Sequence, residues 1–228
     1  MKRILSLGLC AAVAMTLLPT QASAVAPARY QALGATIGYI NDGTALRFNP
    51  AGIGQVENGS LIISFSPIFG GINAPIIGND NVLRDNVEER QLDSEPIFGP
   101  GFMLSGAYRL TDWMTLGLSI YPVIAGGADY RYIQDPEEDG AMPIQDKTSK
   151  LHAEVAPGIG FNVPASALDG QSLSFGIAYR IGYGNLVRMK GNPDDPEIVN
   201  IDAKGFDFGG ITVGLQYAPI PELQLGLV

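Results

Sequence analysis

Residues 101–121 read GFMLSGAYRLTDWMTLGLSIY, and this stretch decides the fold. On both sides of a short connection at Thr111-Asp112, large apolar residues alternate with small or polar ones. A period of two is typical of a β-strand with one apolar face, and two such runs joined by a tight connection predict a β-hairpin. The same alternation predicts further strands at residues 60–69, 150–163, 173–183 and 211–217.

The two faces of these strands differ in composition. One face carries branched and aromatic residues, and the other carries mainly Gly, Ala, Ser and Thr with few charges. A soluble sandwich would present Lys, Glu and Arg to solvent opposite its apolar core. This pattern instead predicts an all-β fold, an antiparallel transmembrane β-barrel whose apolar face contacts lipid and whose small-residue face lines a lumen. Strands of about 9–11 residues would cross a bilayer.

Two local features refine the strand prediction. Phe206 and Phe208 are out of phase with the apolar face of residues 211–217, and Gly209-Gly210 beside them predicts a β-bulge. Amphipathic aromatic rings prefer the lipid headgroup level, and rings of this kind stand at the predicted strand ends. They are Tyr108, Trp113 and Tyr217.

Longer polar stretches at residues 70–100, 126–149 and 192–202 predict external loops that alternate with short turns. Two of them contain acidic runs, Asp135–Asp139 and Asn192–Glu197. Neither run has the spacing of a calcium loop, so we interpret both as solvated loops. His152 is the only histidine, and no metal site is predicted.

The first 24 residues predict a secretory signal peptide. A basic start and the apolar run Ile4–Leu18 precede the small-residue pattern Ala22-Ser23-Ala24, near which cleavage is expected. Cleavage would remove Cys10, which is the only cysteine, so no disulfide is predicted in the mature chain. It also removes two of the 14 basic residues, which leaves 12 against 23 acidic ones. A net charge of −11 argues against binding to nucleic acid.

Residues 33–54, LGATIGYINDGTALRFNPAGIG, fit neither a strand nor an ordinary linker. Gly and Asn interrupt any helical period, yet residues such as Leu46 and Ile53 favour burial. A compact apolar segment of this kind needs protein around it, and the lumen of the predicted barrel would supply it. The motif Asn49-Pro50-Ala51-Gly52 is interpreted either as an ordinary turn or as the element that fixes the path of this segment.

Pro122, Gly126 and Gly127 interrupt an otherwise regular strand. Because Pro removes a ladder donor and Gly weakens pairing, they predict a local gap in the wall. The alternative is that the strand ends at Tyr121 and a loop begins.

Arg109 and Arg180 fall on the small-residue face, as do His152 and Glu154. A guanidinium group matches a carboxylate bidentately, which makes both arginines candidates for ligand binding. The alternative is ion pairing, either between the wall and residues 33–54 or within the wall itself. No nucleophile with a matching base and no phosphate-binding glycine loop is visible, so neither an enzyme nor a cofactor is predicted.

Three stretches resemble the outer-membrane long-chain fatty-acid and hydrocarbon transport family, the FadL/TodX type. They are residues 33–53 with Asn49-Pro50-Ala51, the run LTDWMTLGLSIYPVIAGGADYRY at residues 110–132, and FGGITVGLQYAPIPELQLGLV at residues 208–228. The resemblance implies a fourteen-stranded barrel, of which this chain would supply the N-terminal half. Residues 25–59 would be a plug inside the lumen, and residues 60–228 the first six to seven strands, truncated before closure.

The resemblance also implies a function. Hydrophobic molecules such as long-chain fatty acids would diffuse passively through the plugged barrel and leave sideways beside the kinked third strand, near Pro122. We expect location in the outer membrane of a Gram-negative bacterium, contact with lipid and lipopolysaccharide, insertion by the barrel assembly machinery, and a monomer at full length. The alternatives are an aromatic-hydrocarbon channel, a non-transporting outer-membrane scaffold and an exported soluble β-domain.

Overall fold

A computed structural model describes residues 37–38, 40–75, 91–99, 101–133, 143–192 and 195–228. The predicted signal peptide, the start of the predicted plug and the acidic run Asp135–Asp139 lie outside the described residues. No helix in the described part of the chain is long and apolar enough to cross a membrane.

Antiparallel β-structure dominates the described residues, which confirms the all-β prediction. The strands are β1 Gly59–Phe65, β2 Ile68–Gly70, β3 Asn73–Pro75, β4 Gln91–Asp93, β5 Ile97–Gly99, β6 Phe102–Thr111, β7 Met114–Ile133, β8 Pro143–Val163, β9 Ser172–Asn192, β10 Asp195–Ile220 and β11 Leu223–Leu227. Seven of them form one curled half-barrel sheet in the order β1-β6-β7-β8-β9-β10-β11. The hairpin predicted from residues 101–121 is β6–β7.

The strand predicted at residues 60–69 is broken at Ser66 and Pro67 into β1 and β2. The ladder nevertheless continues, because β2 pairs with β5 in the register of β1 with β6, and the Ser66 amide donates to the Gly101 carbonyl at 2.6 Å. Beyond them, β3 and β4 pair from Asn73–Asp93 to Pro75–Gln91. The described residues at the two ends of the loop predicted at residues 70–100 therefore pair with each other as strands.

Strands β7 to β10 are 20 to 26 residues long, so the predicted length of 9–11 residues is wrong for them. Residues 126–133, 143–149, 192 and 195–202 were predicted to lie in loops. This prediction is wrong, because these residues belong to strands β7 to β10. Polar residues there remain in the ladder because they pair across strands. Asp129 stands opposite Lys147, 3.9 Å between the charged atoms, and Arg188 forms an ion pair with Asp146.

The predicted bulge at Gly209-Gly210 is confirmed. Between Asp207 and Gly210, strand β10 carries one residue more than β9, and Phe206 therefore points to the apolar face beside Tyr183, with ring centroids 5.1 Å apart.

Residues 37–56, apart from 39, form what we call the packed segment, which lies on the small-residue face of the sheet. It contains helix α1, Ala45–Phe48, and a 3-10 helix, Pro50–Gln55. Its apolar side chains Ile40, Leu46 and Ile53 are fully buried against the strands. The large residues of the opposite face stay exposed, with Ile63 of β1 at 75%. The buried core thus lies between a short irregular segment and the small residues of the sheet.

Candidate functional site

Glycines on the sheet leave room for the packed segment. A Cβ added at Gly176 of β9 would overlap the Pro50 carbonyl, and one at Gly214 of β10 would overlap Asn49 Oδ1. Further glycines of the same kind occur on the neighbouring strands, namely Gly117, Gly158, Gly160 and Gly226. We call these six positions the glycine track. Because side chains are missing there, the segment backbone lies directly on the strands at Gly160, Gly176 and Gly226, and the side chains of Leu46 and Asn49 fill the space at the other three.

Asn49 holds the packed segment together. Its Nδ2 donates to the carbonyls of Ile37 and Leu215, both at 3.1 Å, and its Oδ1 accepts from the Ala51 amide at 3.1 Å. Pro50 then begins the 3-10 helix, and a Cβ at Gly52 would overlap the Ile40 carbonyl. All four residues of the motif are buried, so the motif is a buried helix start and not an ordinary turn.

Gln216 of β10 is a second anchor that sequence reasoning missed. Its Nε2 donates to the carbonyls of Ile37 at 3.0 Å and Ile40 at 3.2 Å. The signal was present in the sequence, since Gln216 is the one long polar side chain on the small-residue face of residues 211–217.

Arg109 and Arg180 both bind the backbone of the packed segment. Arg109 Nη2 donates to the Gly54 carbonyl at 3.2 Å, and Arg180 Nη2 donates to the Arg47 carbonyl at 2.9 Å. The structure therefore places both guanidinium groups at the junction of wall and segment, which is the alternative that the sequence left open. Their role in ligand binding stays a prediction.

A cluster of charged and polar side chains surrounds Glu154 of β8. Tyr121 donates its hydroxyl to Glu154 Oε2 at 2.8 Å, and Arg180 Nη1 lies 3.8 Å from the same oxygen. His152 Nε2 is 3.9 Å from Glu154 Oε1. Arg47 stacks over the Tyr121 ring at 4.9 Å. We call these five residues the Glu154 cluster.

The pKa of Arg47 reflects its neighbours in the Glu154 cluster. Burial lowers this pKa, and Tyr121 and then Glu154 oppose the effect of burial by favouring the charged guanidinium. The second guanidinium, on Arg180, adds to the burial effect on Arg47. One carboxylate therefore stabilises two neighbouring cations, one on the wall and one on the packed segment.

Strand β7 does not end at Tyr121, so that alternative is wrong. It continues to Ile133, and Gly126 and Gly127 pair regularly with β8. Pro122 lies at a β-bulge in which Val123 is the additional residue.

On its other side, β7 loses its ladder partner. Pairing between β6 and β7 stops at Leu104 and Ile120, two residues before Pro122. Beyond that point, the Glu95 amide, just before β5, donates to the Asp129 carbonyl of β7 at 2.8 Å. We call this boundary, between β7 residues 121–128 and the strands β5 and β6, the seam. Within the described residues it has no strand pairing.

A groove of about 470 Å³ opens above the packed segment, between the upper parts of β8, β9 and β10. Lys150, His152 and Lys204 line it, together with Asp207. Gly184 and Gly205 form part of its wall, and a Cβ added at either would meet nothing within 4 Å. The groove is thus open, is lined by basic side chains, and ends at the Glu154 cluster through His152.

No protein-family model, curated protein or solved structure matches the chain. Among the residues described, no group of three or more His, Cys, Asp or Glu is arranged to hold a metal ion.

The glycine track predicts opposite results for two glycines of β9. Gly176→Ala places a methyl group against the Pro50 carbonyl, so the packed segment must shift, and overpacking of this kind costs about 1–3 kcal/mol. Gly184→Ala faces open space and serves as the matched control. We expect amide hydrogen exchange in residues 45–55 to speed up in the first variant alone. Equal exchange in the two variants would contradict the packing of the segment on the track.

Proposed function

We propose that this chain forms wall and plug of an outer-membrane β-barrel that admits hydrophobic small molecules. The observation that carries the proposal is the inverted distribution of side chains. Leu61, Ile63 and Phe65 are 68–75% exposed on one face, whereas Ser105, Ser119 and Thr115 are buried on the other. Water would penalise the apolar face, whereas a lipid bilayer favours it.

Aromatic residues support a membrane boundary at each end of the apolar face. At the turn end, Trp113 stacks on Phe161 at 5.8 Å, and Phe161 on Phe175 at 4.9 Å. At the other end, Phe206 contacts both Tyr183 and Phe208, at 5.1 and 6.0 Å. Such girdles are typical of barrels in the outer membrane.

The distance between these boundaries fits a bilayer. From Phe206 to Tyr217, strand β10 covers ~33 Å after allowance for its bulge. At a tilt of 35–45° this corresponds to a height of ~25 Å, the height of an outer-membrane apolar band. Ile211 and Val213 lie between the two and are more than 60% exposed. Charged residues follow directly beyond Phe206, where Lys204 and Asp202 form an exposed pair at 3.5 Å.

The packed segment occupies the face that would line the lumen, as a plug must. Its irregular backbone is tolerable at membrane depth because Gln216, Arg109 and Arg180 of the wall donate to its carbonyls, and its own Asn49 donates to Leu215 of the wall. This arrangement supports the implied likeness to the FadL/TodX type of transport protein.

The route of the ligand follows from the groove and the seam. An anionic head group binds Lys150 and His152 in the groove, and the ligand leaves through the seam beside Pro122, where β7 has no strand partner. Two basic side chains favour long-chain fatty acids over neutral aromatic hydrocarbons. Passage is by diffusion and needs no energy source.

A charge on the apolar face tests the membrane location. Val213→Arg should lower the free energy of unfolding in phospholipid vesicles by about 2–4 kcal/mol, because arginine then faces the bilayer core. Asn200→Arg, on β10 beyond the aromatic boundary, should change it by about 0–1 kcal/mol. Urea titration of the chain in vesicles measures both values. Similar values for the two variants would contradict a bilayer around residues 206–217.

Removal of the basic groups tests the head-group site. Lys150→Gln combined with His152→Gln should weaken binding of a long-chain fatty acid ~10- to 100-fold, because charge-assisted hydrogen bonds are lost. Binding of an alkane of equal length should not change. Lys147→Gln, on β8 outside the groove lining and paired with Asp129, is the matched control. Fluorescence titration of the refolded chain measures the affinities, and an equal loss for acid and alkane would argue against the site.

A further inference from the structure

Arg47 is the point at which the packed segment contacts the bulge of β7. It is the only charged residue in α1 and the 3-10 helix. Its Nη1 donates to the Pro122 carbonyl at 3.4 Å, while its guanidinium lies over the ring of Tyr121, the residue before. One side chain therefore binds two consecutive residues of β7 at the position where pairing with β6 has stopped.

The bulge needs such a contact. Pro122 has no amide hydrogen, and Val123 is the additional residue opposite β8, so the ladder is weakened on the β8 side. On the β6 side, the described residues provide no strand pairing beyond Ile120. Arg47 supplies a charged donor to this stretch from a third direction, the packed segment.

We propose that Arg47 is a positioning residue that holds the bulge of β7 against the packed segment and thereby keeps the seam closed. While Arg47 binds Pro122 and Tyr121, the position of the segment and that of the seam are coupled. When Arg47 leaves, residues 121–124 keep strand pairing with β8 alone and the seam opens.

The Glu154 cluster gives this contact a sensitivity to negative charge. Glu154 favours the charged form of Arg47 and also lies near Arg180, whose Nη2 binds the Arg47 carbonyl. A carboxylate that enters the groove past Lys150 and reaches His152 competes with Glu154 for the same cations. The competition weakens the hold on Arg47, so an anionic amphiphile opens the seam and a neutral hydrocarbon does not. This last step rests on the proposed function, whereas the contact of Arg47 with the bulge does not.

A single thiol reports the state of the seam. Residues 25–228 contain no cysteine, so Val123→Cys places a unique thiol at the bulge, where Val123 packs against the buried core. The rate of its reaction with N-ethylmaleimide is measured on the chain refolded in phospholipid vesicles. In this background, Arg47→Ala should raise the rate at least ~10-fold, the factor that corresponds to loss of a hydrogen bond from a charged group.

Two variants make the result specific. Arg47→Lys keeps the charge and one donor, and it should return the rate to within about threefold of that with Arg47. Gln55→Ala removes a donor to Ser174, at the other helix of the packed segment, and should leave the rate within about twofold. An unchanged rate in Arg47→Ala, or an equal rise in Gln55→Ala, would overturn the proposal.

The ligand dependence is measured on the same thiol. A saturating long-chain fatty acid should raise the reaction rate of the thiol when Arg47 is present. It should not raise the rate further in Arg47→Ala. An alkane of equal length should leave the rate unchanged in both proteins. If fatty acid leaves the rate unchanged although Arg47→Ala raises it, the positioning role stands and the coupling to an anionic ligand is overturned. The reaction rate without ligand does not depend on transport. A failure of the positioning role of Arg47 can therefore be distinguished from a failure of the proposed uptake function.

Discussion

The structure depends on close contact between two backbones. The packed segment reaches the strands of the sheet because the sheet presents glycine where the segment passes, most clearly at Gly176 below Pro50 and at Gly214 below Asn49. Without side chains in between, carbonyl and amide groups of the segment lie within reach of donors and acceptors on the wall. The composition of the small-residue face is thus explained by what it packs against.

The polar residues of that face have a common task. A segment with only short helices leaves carbonyl groups without partners of its own, and buried carbonyls must be satisfied. Gln216 donates to Ile37, Arg180 to Arg47 and Arg109 to Gly54, while Asn49 of the segment itself also donates to Ile37. The wall therefore supplies the hydrogen-bond donors that water would otherwise provide to the segment. The charged cluster around Glu154 extends the same principle to the bulge of β7, where the strand itself has lost ladder partners.

The strands and their two faces were predictable because alternation is a local signal, and the bulge at Gly209-Gly210 was predictable because two aromatic residues fell out of phase. The extension of β7 and β8 through residues 126–133 and 143–149 was not, since cross-strand pairs such as Asp129 and Lys147 become visible only once the register is known. The Glu154 cluster was missed for a related reason. Its members come from the packed segment, β7, β8 and β9, and only the fold brings them together.

The most direct measurement of the central idea, that the apolar face meets lipid, uses the only tryptophan of the chain. Trp113 is half-exposed on that face, at the turn end of the apolar band. Its fluorescence can be quenched in vesicles by phospholipids brominated at defined depths along the acyl chain. The account predicts the strongest quenching by bromines near the headgroups and weaker quenching by bromines at the bilayer centre. Quenching by aqueous iodide but by none of the brominated lipids would contradict it.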